Sequence, residues 1–192
     1  MAATFPGTDK VAIDVTFNTG GVGINTSARI QASAAGASAA IIPDFTMVYG
    51  TGTVLDANGA VPVNSLYFFQ GTIANGTTKS IDLIGGADLD VFGVAMNLTK
   101  VKWFCVANIG TAAGAVPDGI NKLYVGPQGV ANAFSTPWGG AGATVYEECY
   151  WSKQCRGPAT GWVVTASTAD LFQVKNPGGT DLTVLIAIAG KI

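Results

Sequence analysis

Short runs of alternating apolar and polar residues, punctuated by glycine, asparagine, aspartate and proline, fill most of this chain. The clearest lies near its end, in GWVVTASTADLFQVKNPGGTDLTVLIAIAG. Residues 171–175 place Phe172 and Val174 on one side and Gln173 and Lys175 on the other, the two-residue period of a strand. Pro177, Gly178 and Gly179 break it, because proline lacks an N–H and glycine takes positive φ. In residues 182–189, Leu182, Val184, Ile186 and Ile188 alternate with Thr183, Leu185, Ala187 and Ala189, so both faces are largely apolar. That is the pattern of a central strand covered on both sides. The turn before it predicts pairing with 171–175 as a hairpin.

The same period predicts strands over residues 11–17, 45–49, 65–74, 78–84, 100–108, 121–126, 143–149 and 162–165. Asn75-Gly76 is a hairpin signal, which predicts that 65–74 and 78–84 pair with each other. Lys100 and Lys102 share a face with Phe104 and Val106, predicting a face that passes from solvated to buried. Residues 26–40, TSARIQASAAGASAA, are small and polar. They read as a flexible segment, or as an arm that orders only against a neighbouring subunit and is clipped by protease in the isolated protein. Residues 88–97 read as a loop with one helical turn, 126–142 as a long loop anchored by Phe134 and Trp138, and 150–158 as a connector.

Many short strands with turn signals between them and no long helix predict an all-β fold. The expected architecture is an antiparallel β-sandwich, jelly-roll-like, with a flexible or extended N-terminal segment. Residues 1–45 would hold the N-terminal strand and an Ala/Gly/Ser-rich arm, and residues 46–192 the sandwich domain. An immunoglobulin-like sandwich is the alternative, but its Cys…Trp…Cys spacing is missing.

Composition narrows the function. Charged residues are 11% of the chain, against roughly 25% in an ordinary soluble domain. So sparse a charge predicts a surface largely covered by other subunits, hence a homo-oligomer. The net charge is −2 and no basic cluster exists, which argues against nucleic-acid binding. No apolar run reaches the ~20 residues of a membrane helix, and the first ten residues have no signal-peptide pattern, so neither membrane insertion nor secretion is expected. The absence of histidine removes the Ser-His-Asp and Cys-His nucleophile systems. Of the cysteines Cys105, Cys149 and Cys155, the last two could close a small loop, but reduced thiols are the expectation.

Asp82, Asp88 and Asp90 lie close enough in sequence for a calcium site, but carboxylates in glycine-rich loops more often bond nearby backbone N–H groups. Glu147 and Glu148 are adjacent and would face opposite ways on a strand, a poor pair for glycoside hydrolysis. Trp103 and Trp162 read as core. Trp138 and Trp151 read as contact anchors, with sugar stacking as the alternative. The candidate subunit or capsid interface is therefore Ala34, Ala35 and Gly36 in the arm, with Phe134, Trp138 and Trp151. No catalytic residue, metal or cofactor is expected.

From SIDL at residues 80–83, through VFG at 91–93, VKWFCVANIG and the aromatic and glycine loop, to the closing GWVVTASTADLFQVKNPGGTDLTVLIAIAG, the chain resembles tailed-phage head proteins described as capsid decoration, cement or head-fibre proteins. The resemblance implies a jelly-roll-like β domain on the virion surface, commonly a trimer, made in the host cytoplasm. It would bind the major capsid protein and stabilise the shell, with no enzyme activity. The alternatives are a fibre or spike head that binds a host glycan, and a self-assembling β-sandwich coat protein.

Overall fold

The computed structural model describes residues 11–18, 25–32, 47–49, 61–63, 65–91, 93–110, 121–139, 142–155 and 161–192. The described secondary structure is all strand: β1 (Val11–Asn18), β2 (Asn25–Ala32), β3 (Met47–Tyr49), β4 (Val61–Val63), β5 (Ser65–Ile73), β6 (Thr78–Asp82), β7 (Lys100–Gly110), β8 (Lys122–Val125), β9 (Ala143–Tyr146), β10 (Cys149–Gln154), β11 (Trp162–Val163), β12 (Leu171–Lys175) and β13 (Leu182–Lys191). The helical turn expected in 88–97 is absent among the described residues of that loop. Asn25–Ala32, expected in part as the start of an arm, is a strand paired antiparallel with β1 from Val11↔Ala32 to Asn18↔Asn25. Residues 33–40, including Ala34, Ala35 and Gly36, lie outside the described residues.

β5 to β13 build two sheets that stack as a sandwich. One has the order β5-β13-β7-β10, with β11 continuing the β10 edge of β7. The other has the order β6-β12-β8-β9. With the eight long elements in chain order, this is the strand order of a jelly roll: successive strands alternate between sheets except β8 and β9, which pair within one sheet, and the last enters the middle of the first. The expected antiparallel sandwich is what these residues form. β1 to β4 make a separate four-stranded sheet, in which the β3–β4 pair is parallel. Pro62 is tolerated in β4 because that strand ends the sheet order.

Two expected hairpins are corrected. β12 does not pair with β13: it pairs with β6 and β8, while β13 lies between β5 and β7. Nor does β6 pair back on β5. The residue pairs read as hairpin tips are arches that carry the chain from one sheet to the other. For β12 the reason is that both edges of β13 are already taken by β5 and β7, so a sequence-adjacent strand finds no partner there. At the first arch Gly76 takes φ +73° and Thr77 N–H returns to the Ala74 carbonyl at 3.1 Å, a tight turn that redirects the chain without pairing its flanks.

β13 is buried on both faces, as its sequence predicts. Leu182, Val184, Ile186 and Ile188 face the other sheet and meet Ile81, Leu123, Val125, Phe172 and Val174 in one core cluster. Leu185, Ala187 and Ala189 face away and pack with Leu66, Trp103, Cys105 and Ala107. Burying each large aliphatic side chain contributes roughly 1.5–3 kcal/mol, so this strand is the main apolar investment of the fold. Lys102 departs from expectation: it is fully buried, although its alternation suggested a solvated end. Burial holds its ammonium below the ordinary lysine range, and the neighbouring Lys100 adds to the effect.

Candidate functional site

One end of the sandwich is closed by aromatic rings gathered around Phe104 of β7. Its ring lies 5.1 Å from Trp151, 5.3 Å from Phe172, 5.4 Å from Trp138 and 5.5 Å from Trp162, centroid to centroid. Trp138 stacks on Trp151 at 5.8 Å and meets Phe134 edge-on at 6.0 Å. These separations suit offset and edge contacts, each worth roughly 0.5–1.5 kcal/mol beyond the area buried.

The loop after β8 delivers Phe134 and Trp138 and is held by its backbone. Gly126 N–H donates to the Gln173 carbonyl at 3.0 Å, Phe134 N–H to the Leu171 carbonyl at 2.8 Å, and Leu171 N–H to the Asn132 carbonyl at 3.1 Å. Lys153 Nζ donates to the Pro137 carbonyl at 2.6 Å and lies 5.4 Å from the Trp151 ring centroid. Gln173, on the side of β12 opposite Phe172 and Val174, is buried: its amide donates to Ser80 Oγ at 3.2 Å and accepts Gln128 N–H at 3.0 Å.

The three aromatic candidates are thus brought together, but largely inward. Phe134 is fully buried in the subunit's own core. Trp138 and Trp151 are half-buried, and each presents part of its indole face to the other. The buried Trp138 indole N–H has no hydrogen-bond partner among the described residues. Trp103 packs in the second cluster and Trp162 against the first, as expected for core residues.

The acidic residues are occupied locally. Asp82 accepts Ile84 N–H at 3.1 Å and Gly85 N–H at 2.6 Å. Asp88 accepts Asp82 N–H at 2.7 Å and pairs with Lys79 at 3.8 Å. Asp90 accepts Val94 N–H at 3.0 Å. Among the described residues no group of His, Cys, Asp and Glu is placed to hold a metal ion. Glu147 is buried, accepting Asn121 Nδ2 at 3.2 Å, while Glu148 is exposed at φ 55°, so the pair does point apart. Asn121 accepts Thr180 Oγ1 at 3.2 Å, and Asn108 Nδ2 lies 3.3 Å from the Asn121 and Val145 carbonyls. This network fastens the β7–β8 and β9–β10 ends together.

No protein-family model, curated protein or solved structure matches this chain.

The thiols are free. Cys149 and Cys155 bracket β10, whose extended run of six residues separates them by roughly 20 Å at 3.3 Å per residue, far beyond disulfide reach. Cys105 is buried, and its thiol is pushed up to about 12 by that burial.

Sequence reasoning missed the exposed apolar side chains. Leu89 and Val94 are 54% and 55% exposed on the β6–β7 loop. Tyr146 and Tyr150 flank the β9–β10 turn, and Val163 lies on β11, all exposed. The signal was present for Leu89 and Val94, which sit among aspartates and glycines in a stretch with no regular period.

Proposed function

We propose that this protein is a virion structural component that binds the outside of an assembled phage capsid as a decoration or cement protein, working as a trimer and contacting the major capsid protein. The observation that carries the reading is the jelly-roll strand order of β5 to β13, built on a sheet whose central strand is dry on both faces. Folds of this kind serve in capsids, lectins and cupins alike, so three further features bear on the choice. Charge is scarce, at 11% of residues. Exposed apolar side chains sit on the β6–β7 loop and on the strand ends around the β9–β10 turn and β11, where a lattice neighbour could cover them. Asp82, Asp88, Asp90 and Glu147 are engaged with backbone or amide groups. A protein that binds only the assembled shell stabilises it by mass action, on the order of 3–4 kcal/mol at 100–1,000 times the dissociation constant.

The test is addition of purified protein to expanded capsids that lack it. Saturable, stoichiometric co-sedimentation with a raised capsid melting temperature is the expected result. Absence of binding at micromolar protein overturns the reading. The host-glycan alternative draws less support, because the stacking face that Trp138 or Trp151 would offer to a sugar is partly taken by the other indole.

A further inference from the structure

We infer that Asn75-Gly76 is a self-modification site, where the Asn75 side-chain amide is converted to an acid with water as the co-reactant, at a rate set by how firmly the fold holds this arch closed. The inference is independent of the capsid reading. Residues 74–78 are all exposed, and apart from its chain neighbours nothing lies within 4 Å of where a side chain on Gly76 would begin. Thr77 N–H and Thr77 Oγ1 both donate to the Ala74 carbonyl, at 3.1 and 2.7 Å. Gly76 takes φ +73° while Asn75 keeps a negative φ, which makes this a type II turn with Asn75 and Gly76 at its central positions. The Gly76 N–H has no hydrogen-bond acceptor among the described residues, so it stands open to water.

These parts define the reaction. Hydroxide takes the Gly76 N–H proton. The nitrogen forms a bond to Asn75 Cγ, the Cγ–Nδ2 bond breaks, and Nδ2 takes a proton from water and leaves as ammonia. Water then opens the cyclic imide at either carbonyl. One product is aspartate on the ordinary main chain; the other is isoaspartate, whose main chain runs through the side-chain carbons. Amide and water have become acid and ammonia, with nothing oxidised or reduced. A side chain at residue 76 would crowd the attacking nitrogen, and glycine has none.

Three contacts restrain the step. The leaving group, Nδ2, donates to the Gly179 carbonyl at 3.2 Å, and the main-chain N–H of Asn75 donates to the Asp181 carboxylate at 2.8 Å. Asn75 Oδ1 lies 3.7 Å from where a side chain on Gly178 would begin. Nδ2 must leave Gly179 before Cγ can swing onto the Gly76 nitrogen. Both hydrogen bonds are exposed, so the arch opens locally at far lower free energy than the core unfolds. The product weakens its own restraint. An acid at residue 75 has no N–H to offer Gly179, its carboxylate stands near that of Asp181, and like charges repel. Isoaspartate also lengthens the main chain inside the turn. Conversion therefore unfastens residues 74–77 from residues 176–181.

The experiment is incubation of the full chain at neutral and mildly alkaline pH, native and in urea, followed by peptide mapping with mass spectrometry. Native protein is expected to gain the amide-to-acid mass step at Asn75, more slowly than in urea and in proportion to hydroxide. Asp181→Ala, at an exposed position, should raise the native rate severalfold and leave the rate in urea unchanged. Gly76→Ala should slow the reaction many-fold in urea, where strain at positive φ plays no part. Asn75→Asp should lower the melting temperature by about 2–4 °C, the shift that one lost contact gives in a domain of this size. Native protein that keeps the Asn75 amide while the urea sample converts, a native rate indifferent to Asp181→Ala, or an undiminished rate in unfolded Gly76→Ala overturns the inference.

Discussion

The backbone N–H of Asn75 donates to the Asp181 carboxylate at 2.8 Å across 106 residues of sequence. Each residue stands where the chain leaves one sheet for the other. Around them Asn75 Nδ2 donates to the Gly179 carbonyl at 3.2 Å, and Asn176 N–H donates to the Thr77 carbonyl at 2.9 Å. The two arches are thereby sewn to each other, which fixes how the sheets are stacked.

The central stitch is Asn176, fully buried, whose Nδ2 donates to the Ile73 carbonyl at 3.0 Å and the Thr180 carbonyl at 2.7 Å. Asn176→Ala strips a donor from two carbonyls at once and should cost about 2–4 kcal/mol. Asp181→Ala, at an exposed position, should cost under about 1 kcal/mol. Urea unfolding of the two variants gives the comparison, and equal losses would show that the buried amide is not the fastening point.

Phe104→Ala removes the ring on which Trp138, Trp151 and Trp162 converge. The expected loss is about 3–5 kcal/mol, with tryptophan emission shifted to the red as indoles gain water. Ile186→Asp places an unpaired charge between the sheets and should yield no folded protein. A soluble Ile186→Asp variant with native-like circular dichroism would place Ile186 outside the core.

Thiol chemistry separates the cysteines. Cys149 is exposed and should react with a disulfide reagent in the native protein, whereas Cys105 should stay silent until unfolding. Burial raises both the Cys105 thiol, to about 12, and the Tyr67 phenol, which Asp88 raises further. The folded protein therefore keeps protons that the unfolded chain releases, first from cysteine at about pH 9 and then from tyrosine at about pH 10. Their stability contribution is complete below pH 9 and is lost as pH rises, at up to about 1.4 kcal/mol per pH unit for each group. Cys105→Ala should flatten the slope above pH 9. An unchanged slope would assign the alkaline loss to other groups.

The strands were legible because alternation is a local property. Residues 171–175 and 182–189 were placed by period alone, and β12 and the start of β13 follow them. Partnership was not legible. Pro177-Gly178-Gly179 and Asn75-Gly76 say that the chain turns, but a hairpin and an arch use the same residues. Only the global competition for the edges of β13 decides between them. β10 was missed because Cys149–Gln154 is polar and exposed at its ends, with Trp151 alone marking the inner face. The alternation of Ala28, Ile30 and Ala32 with Ser27, Arg29 and Gln31 was a usable sign of β2, hidden by the small-residue composition around it. Lys102 misled because its charge argued for water while its neighbours Trp103 and Phe104 argued for the interior. The aromatic candidates were rightly singled out as anchors, yet spacing could not show that Phe134 is spent within its own subunit.

Placing β13 between β5 and β7 has a kinetic price. Ser65 must wait for Gly190 before it finds its neighbour, so the nascent polypeptide carries β5 and β7 unjoined until β13 emerges from the ribosome. Such high contact order slows folding to milliseconds or longer, and the unpaired strands are sticky meanwhile. Translation speed and chaperone supply, rather than the strength of the finished core, should then set how much of this protein a cell can accumulate.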